Sequence, residues 1–365
     1  PILFDLNCKN FFLIDYVFII MFAVINNEDK LFVCGKNNFA QLGLGHSDLV
    51  TTLTELKDYN VVKVFNALYI TAFITYESKL FVFGHKKHYI HTLFANYKNY
   101  PLELDNDVID VSCSHTCIAY IKKKNKLYIW GDNSYGQAGL GHKNYIENPI
   151  KIKNNVIQVS CGTYHIALIT DENKLFTCGL NRCGQLGLGH NDNVDIFTKM
   201  RNNVKQVSCG AHYTTFITNN DELFVCGCGD SGQLGLGKLT DINIPRKLRD
   251  DVAFVSCGYT HTGFITNDNE LFICGFNSFG QLGLGDYYNI NIPTKIRDNV
   301  IYLLCQTYQT LFITDENKLF ACGDNQHRNL GLNHSKTVNI PTEIPNFTPK
   351  LPTYSRFKKT KSARN

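Results

Sequence analysis

This 365-residue chain has one Trp, two Met, no C-x-x-C pair and no apolar run that could cross a bilayer. The longest such run, Phe11 to Ile25, spans fifteen residues and is broken by Asp15. A membrane helix needs about 20, and no signal-peptide layout surrounds this one. Net charge is also small, at +4, and it is local. Six bases (Lys350, Arg356, Lys358, Lys359, Lys361 and Arg364) stand in residues 350–365 without an acid, so subtracting them leaves residues 1–349 at −2. The body is therefore not a basic nucleic-acid platform, and any such contact would fall to the tail. None of the glycine-rich stretches ends in G-K-[ST], which excludes a phosphate-binding loop. No paired carboxylates, catalytic triad or metal-ligand set stands outside the repeated positions. No catalytic residue, no cofactor and no metal is expected.

What is abundant is apolar: 44% of residues, with 19% charged, which excludes a disordered chain. Fourteen cysteines invite a disulfide scaffold, metal sites or small apolar fillers, and their positions decide. Cys34, Cys178, Cys226, Cys274 and Cys322 each precede a glycine. Cys113, Cys161, Cys209, Cys257 and Cys305 each close a V-S-C-like run. Within the last four of each set the spacing is 48 residues. Ten of the fourteen thus belong to a repeat, and they read as buried, reduced thiols. That implies a reducing compartment, cytoplasmic or nuclear.

The repeat itself runs seven times. Glycines 35, 84, 131, 179, 227, 275 and 323 are separated by 47 to 49 residues. A second segment recurs with them, clearest as VIQVSCGTYHIALIT, VKQVSCGAHYTTFIT and VAFVSCGYTHTGFIT. Phe11–Ile25 falls in this register. Within a unit the signals are all β: Val204–Cys209, Tyr213–Thr218, Leu223–Cys226 and Ile244–Leu248, with Asn219–Glu222 as a turn. The second and third runs are apolar on successive residues, which fits a sheet covered on both faces. Four-stranded sheets packed on copies of themselves make a propeller, with the V-S-C segments innermost.

The glycine-rich connection reads CGKNNFAQLGLG (34–45), WGDNSYGQAGLG (130–141), CGLNRCGQLGLG (178–189), CGCGDSGQLGLG (226–237) and CGFNSFGQLGLG (274–285). With the following P-T-K-I and V-S-C-G-x-x-H, it resembles the regulator of chromosome condensation repeat over about 345 residues. The resemblance implies an all-β, seven-bladed β-propeller of four-stranded antiparallel blades. Its expected span is 1–346, with Pro1–Leu6 completing the last blade, and 347–365 is expected to be a basic, disordered tail. The Gln of each loop is expected to satisfy loop backbone groups.

Candidate contact residues follow from the same repeat. His165 and His261 match the family's G-x-x-H position near one rim, with Tyr164 and Tyr259 in the same turns, and His212 stands one residue early. Such a histidine either bonds the neighbouring blade or contributes to a partner-binding ring. The second unit departs most, reading GHKKHYIHTLFANYKNYP (84–101), and Lys86, Lys87 and Tyr89 make it a basic-aromatic candidate patch. His85, His88 and His91 lie three apart, a spacing that aligns nothing on a loop.

The expected function is a non-covalent interaction module: a monomer that binds a protein partner through one rim, with histones in chromatin or a small GTPase as the targets the resemblance suggests. No membrane partner is expected. The alternative is guanine-nucleotide exchange on a Ran-like small GTPase, the activity of the family's founding member. There an inserted β-wedge pushes on the GTPase. Here Gln137, Gln185, Gln233 and Gln281 are evenly 48 apart, which leaves no room for one.

Overall fold

The computed structural model describes residues 21–350, apart from 39, 67–69, 85–99, 115 and 333. All regular structure among these residues is strand. One unit shows the plan: Val156–Cys161, His165–Thr170, Leu175–Gly179 and Val194–Arg201 form an antiparallel meander, each strand paired with the next. The second strand is buried at every position, as its unbroken apolar pattern requires. The fourth alternates half-buried and exposed residues, leaving Ile196 60% exposed. First strands of successive units pack on one another. They therefore line the axis and the fourth strands form the perimeter.

The count of blades corrects the expectation. The described strands form six sheets, five of four strands and one of six, rather than seven four-stranded blades. The cause is the 17-residue strand Val50–Asn66. Elsewhere a fourth strand ends at a two-residue turn whose Asn or Asp is left-handed, as at Asn155, Asn203, Asp251 and Asn299. At the corresponding place Asp58 is left-handed too (φ 71°), but Tyr59 and Asn60 follow it before Val61. Asn60 pairs with Lys30, and Val61–Asn66 continue against Ile70–Thr75. The extra residues bulge the ladder without breaking it. Tyr59 anchors the bulge edge-on against Phe73 and Phe81, at 5.0 Å from each. The first sheet thus spans two repeat units.

Neighbouring units are joined by a repeated set of hydrogen bonds, and these give the sequence motif its meaning. The Ser of V-S-C accepts the N–H of the next unit's Cys: Ser112 from Cys161 at 3.0 Å, Ser160 from Cys209 at 2.9 Å, Ser208 from Cys257 at 3.0 Å and Ser256 from Cys305 at 2.9 Å. Gln158 and Gln206 each bracket the next inner strand with both amide atoms. Arg201, Arg249 and Arg297 lie 3.9, 4.1 and 4.2 Å over Phe224, Phe272 and Phe320 of the following unit.

The ring closes through packing of the last sheet on the first. Phe22, Leu31, Phe73, Leu311, Leu330 and Ile344 belong to one core. Beyond it, Asn27 N–H donates to Thr348 O at 3.0 Å and Lys350 N–H to Ile25 O at 2.9 Å, and Phe347 stands edge-on to Phe32. Lys350 pairs with Asp29 and lies 4.9 Å over the Tyr76 ring. The start of the expected tail is therefore tied to the first unit. Pro1–Leu6, proposed for closure, lie outside the described residues.

Candidate functional site

The meander puts two kinds of connection on opposite rims. Turns between first and second strands, such as 162–164, share one rim with the long glycine-rich loops, such as 180–193; Leu180 N–H donates to Tyr164 O across them at 2.9 Å. The second-to-third and fourth-to-first turns form the other rim. The loop rim is built rigidly. Each Gln amide oxygen accepts the N–H two residues back, from Tyr135, Cys183, Ser231 and Phe279 at 2.9–3.0 Å. Each loop Asn holds the following loop leucine or alanine N–H, as Asn181 does for Leu186 at 2.9 Å. Glycine is required where loops meet the next unit: Gly139 has φ +69°, and a Cβ there would run into the Phe197 ring.

His165 and His261 are fully buried, so they are corrected from candidate partner contacts to latches between units. Thr214 Oγ1 donates to Gln185 O at 2.8 Å, and His165 Nε2 lies 2.9 Å from that hydroxyl. The hydroxyl proton is already committed, so His165 carries its proton on Nε2 and donates it. His261 repeats the arrangement with Thr310 at 3.0 Å and Gln281 O. Each Nδ1 is buried without a partner. Burial accordingly pushes His165 down to about 3 and His261 to about 4, and both imidazoles are neutral. In the unit between them Tyr213 takes the latch position, its hydroxyl donating to His261 O at 2.5 Å. His212 therefore projects into the turn itself, half-buried, with burial holding it below its ordinary value.

The remaining described candidates gather with residues that sequence reading missed. Tyr164 lies 4.8 Å from Tyr135 and 6.5 Å from His212, ring to ring. Tyr259 lies 6.1 Å from Tyr308, which also contacts Phe276 at 6.1 Å and Phe279 at 4.8 Å. These rings are half-buried, each showing part of its surface at the loop rim. The signal was present: residues 135, 183, 231, 279 and 327 vary as Tyr, Cys, Ser, Phe and His inside an otherwise repeated loop. Lys86, Lys87 and Tyr89 lie outside the described residues, as do Arg356, Lys358, Lys359, Lys361 and Arg364. Lys350 is occupied by Asp29 and Tyr76.

The opposite rim is ionic, and several of its lysines pair with its carboxylates. Lys247 meets Glu222 at 3.1 Å and Asp250 at 2.8 Å, and Lys295 meets Glu270 and Asp298 at 2.7 Å each. Lys318 pairs with Glu316 at 2.7 Å and Lys123 with Asp107 at 2.8 Å. Such exposed pairs add little stability.

All thirteen described cysteines are free. The repeated ones serve as small donors: Cys178 Sγ lies 3.0 Å from Gln137 O and Cys322 Sγ 3.4 Å from Gln281 O. Burial pushes Cys34, Cys209 and Cys322 up to about 12, far from a reactive thiolate. Alkylation in denaturant, without prior reductant, should label all fourteen cysteines of the chain by intact mass. Recovery of ten or fewer would contradict the reduced-thiol reading. Cys183, Cys228 and Asp241, which no sequence motif groups, present ligand atoms within 4.8 Å of one another.

A ring of packed antiparallel sheets with aromatic clusters on its loop rim defines a β-propeller. The chain belongs to the RCC1-like domain family, whose model matches residues 91–362. No curated protein sequence matches it. Among solved structures, it is similar to human WBSCR16, with 21% identity, a TM-score of 0.77, and coverage of 87% of this chain and 94% of that one. Yeast RCC1 (Prp20) bound to Kap60 is similar at 16% identity and TM-score 0.77, covering 91% and 86%. Prp20p from Saccharomyces cerevisiae, described with its binding to Gsp1p and histones, matches at 16% and 0.77, covering 89% and 88%.

Proposed function

We propose that this protein is a non-covalent interaction module that binds a protein partner through its loop rim. The observation that carries the reading is the pair of aromatic clusters, Tyr135–Tyr164–His212 and Tyr259–Phe276–Phe279–Tyr308, on loops that hydrogen bonds hold rigid. Half-exposed rings on a preorganised surface bring large contact area at little entropic cost, which is what binding hot spots need. On the ionic rim, by contrast, Lys123, Lys247, Lys295 and Lys318 are already engaged by neighbouring carboxylates. Prp20p, which shares the fold, is described as binding Gsp1p and histones, and this supports a protein partner of either kind. We infer a cytoplasmic or nuclear setting and, by the same analogy, a chromatin-associated target. Any nucleic-acid contact would fall to the basic tail, of which Lys350 is already engaged by Asp29 and Tyr76.

Nucleotide exchange is the second reading, favoured by the Prp20p likeness and opposed by the regular loop spacing. An exchange factor works by linkage: it binds the nucleotide-free GTPase more tightly and so weakens nucleotide binding by the same factor. With fluorescent GDP on a Ran-like GTPase, micromolar protein should leave the release rate within about twofold of the spontaneous one. Acceleration by orders of magnitude would promote exchange to first place.

A further inference from the structure

We propose that Cys183, Cys228 and Asp241 form a binding site for a thiophilic divalent cation of the zinc class, at the boundary between two blades on the loop rim. Their two sulfurs and a carboxylate oxygen all lie within 4.8 Å of one another. In a tetrahedral zinc site, bonds of about 2.3 Å to sulfur place two thiolates roughly 3.8 Å apart, so only a small inward movement is needed. Both backbones are fixed: Cys228 N–H donates to His212 O at 2.9 Å and Cys183 N–H to Gln185 Oε1 at 3.0 Å. Gly229 N–H holds Asp241 Oδ1 at 3.1 Å and so orients the carboxylate.

The repeat itself supplies the independent argument. Cys183 is position six of its loop and Cys228 position three of the next; the same two positions meet at the closing boundary, where His327 and Lys36 are near enough for the lysine to lower the histidine. Those positions hold Tyr135, Ser231 and Phe279, or Asp132, Leu180 and Phe276, in other units. At this boundary alone among the described residues both are cysteine. These two thiols belong to neither repeated cysteine class, and unlike most of the others they are half-buried. Asp241 stands where Asn193 and Asn289 stand, and it keeps their hydrogen bond to the loop N–H while adding a charge. Neutral amide repeats thus become a carboxylate beside the one dithiol.

The donor set selects the ion. Two sulfurs exclude magnesium and calcium, which take oxygen, and suit zinc. Three protein ligands leave the fourth position to water, because Asp241 is exposed. Binding requires both thiols to release their protons, so affinity should rise with pH.

The test uses the full chain, reduced, metal-stripped and handled without oxygen. Titration with Zn2+ against a chromophoric chelator should give one equivalent bound, and Co2+ should give thiolate-to-metal charge-transfer absorption. Cys183→Ser and Cys228→Ser should each abolish both signals while circular dichroism is unchanged, and Asp241→Asn should weaken binding at least tenfold. Stoichiometric Zn2+ binding that survives in the two serine variants would overturn the assignment. So would absence of Zn2+ binding by the reduced wild-type chain, with oxidised glutathione converting the pair to a Cys183–Cys228 disulfide instead.

Discussion

Lowering the pH from 7.5 to 5 should cost this protein about 4 kcal/mol of folding stability, most of it through two histidines. His165 and His261 stay neutral in the fold because burial holds them near 3 and 4. In the unfolded chain they titrate near 6.5 and bind protons that the folded chain refuses. At pH 5 that difference is about 2 kcal/mol per residue. The sign follows from the depressed folded values. The stability is fully present above about 6.5, is lost as pH falls toward 4 and then 3, and declines no further below that. His212 is lowered too and adds in the same direction. Urea unfolding at the two pH values measures the slope. Glutamine at both positions, His165→Gln with His261→Gln, should flatten it by most of the 4 kcal/mol. An unchanged slope in that variant would show that the latches do not govern acid sensitivity.

Replacing Gly162 by alanine should destabilise the protein by about 3 kcal/mol or more, a large effect for one methyl group. A Cβ at Gly162 would enter the His165 ring and stand 2.7 Å from Gly210 O of the next unit. Neither neighbour is free to move: the imidazole is fixed by Thr214, and Gly210 N–H is bonded to Tyr213 O at 2.9 Å. Gly258 meets His261 and Gln306 O in the same way. The cause can be isolated with a double-mutant cycle. In a His165→Ala background, Gly162→Ala should cost roughly 1–2 kcal/mol less, since only the carbonyl clash remains. Strict additivity would place the strain elsewhere.

The all-β propeller and its repeated unit are legible in the sequence because the physical requirement recurs in every unit. Each V-S-C serine must meet the next inner strand, and each loop Gln must satisfy a loop N–H. The blade count is not legible there, because the connection that carries Tyr59 and Asn60 is only one residue longer than its counterparts and moves the glycine spacing from 48 to 49. That small excess nonetheless turns a tight turn into a bulge and fuses two units into one sheet. Sequence alone leaves His165 and His261 open between a latch to the next blade and a partner contact, because alignment shows where a side chain begins, not which way it points. Tyr213, one position after His212, is the latch in its unit, and only the hydrogen bond to His261 O reveals the substitution. Cys183 and Cys228 were illegible for another reason. They lie 45 residues apart, and only the stacking of two units brings them within reach.

The measurement that bears most directly on the account compares the two rims. The partner that the wild-type chain captures from its native cell extract should be identified, purified and titrated by calorimetry against two variants. One combines Tyr164→Ala, Phe279→Ala and Tyr308→Ala on the loop rim; the other combines Lys247→Ala and Lys295→Ala on the ionic rim. With both variants folded as judged by circular dichroism, the loop-rim variant should bind about 100-fold more weakly, the equivalent of roughly 2.7 kcal/mol across three contact aromatics. The ionic-rim variant should bind within about twofold of wild type. Undiminished binding by the loop-rim variant, or loss confined to the ionic-rim variant, would contradict the assignment of the aromatic rim as the interaction surface.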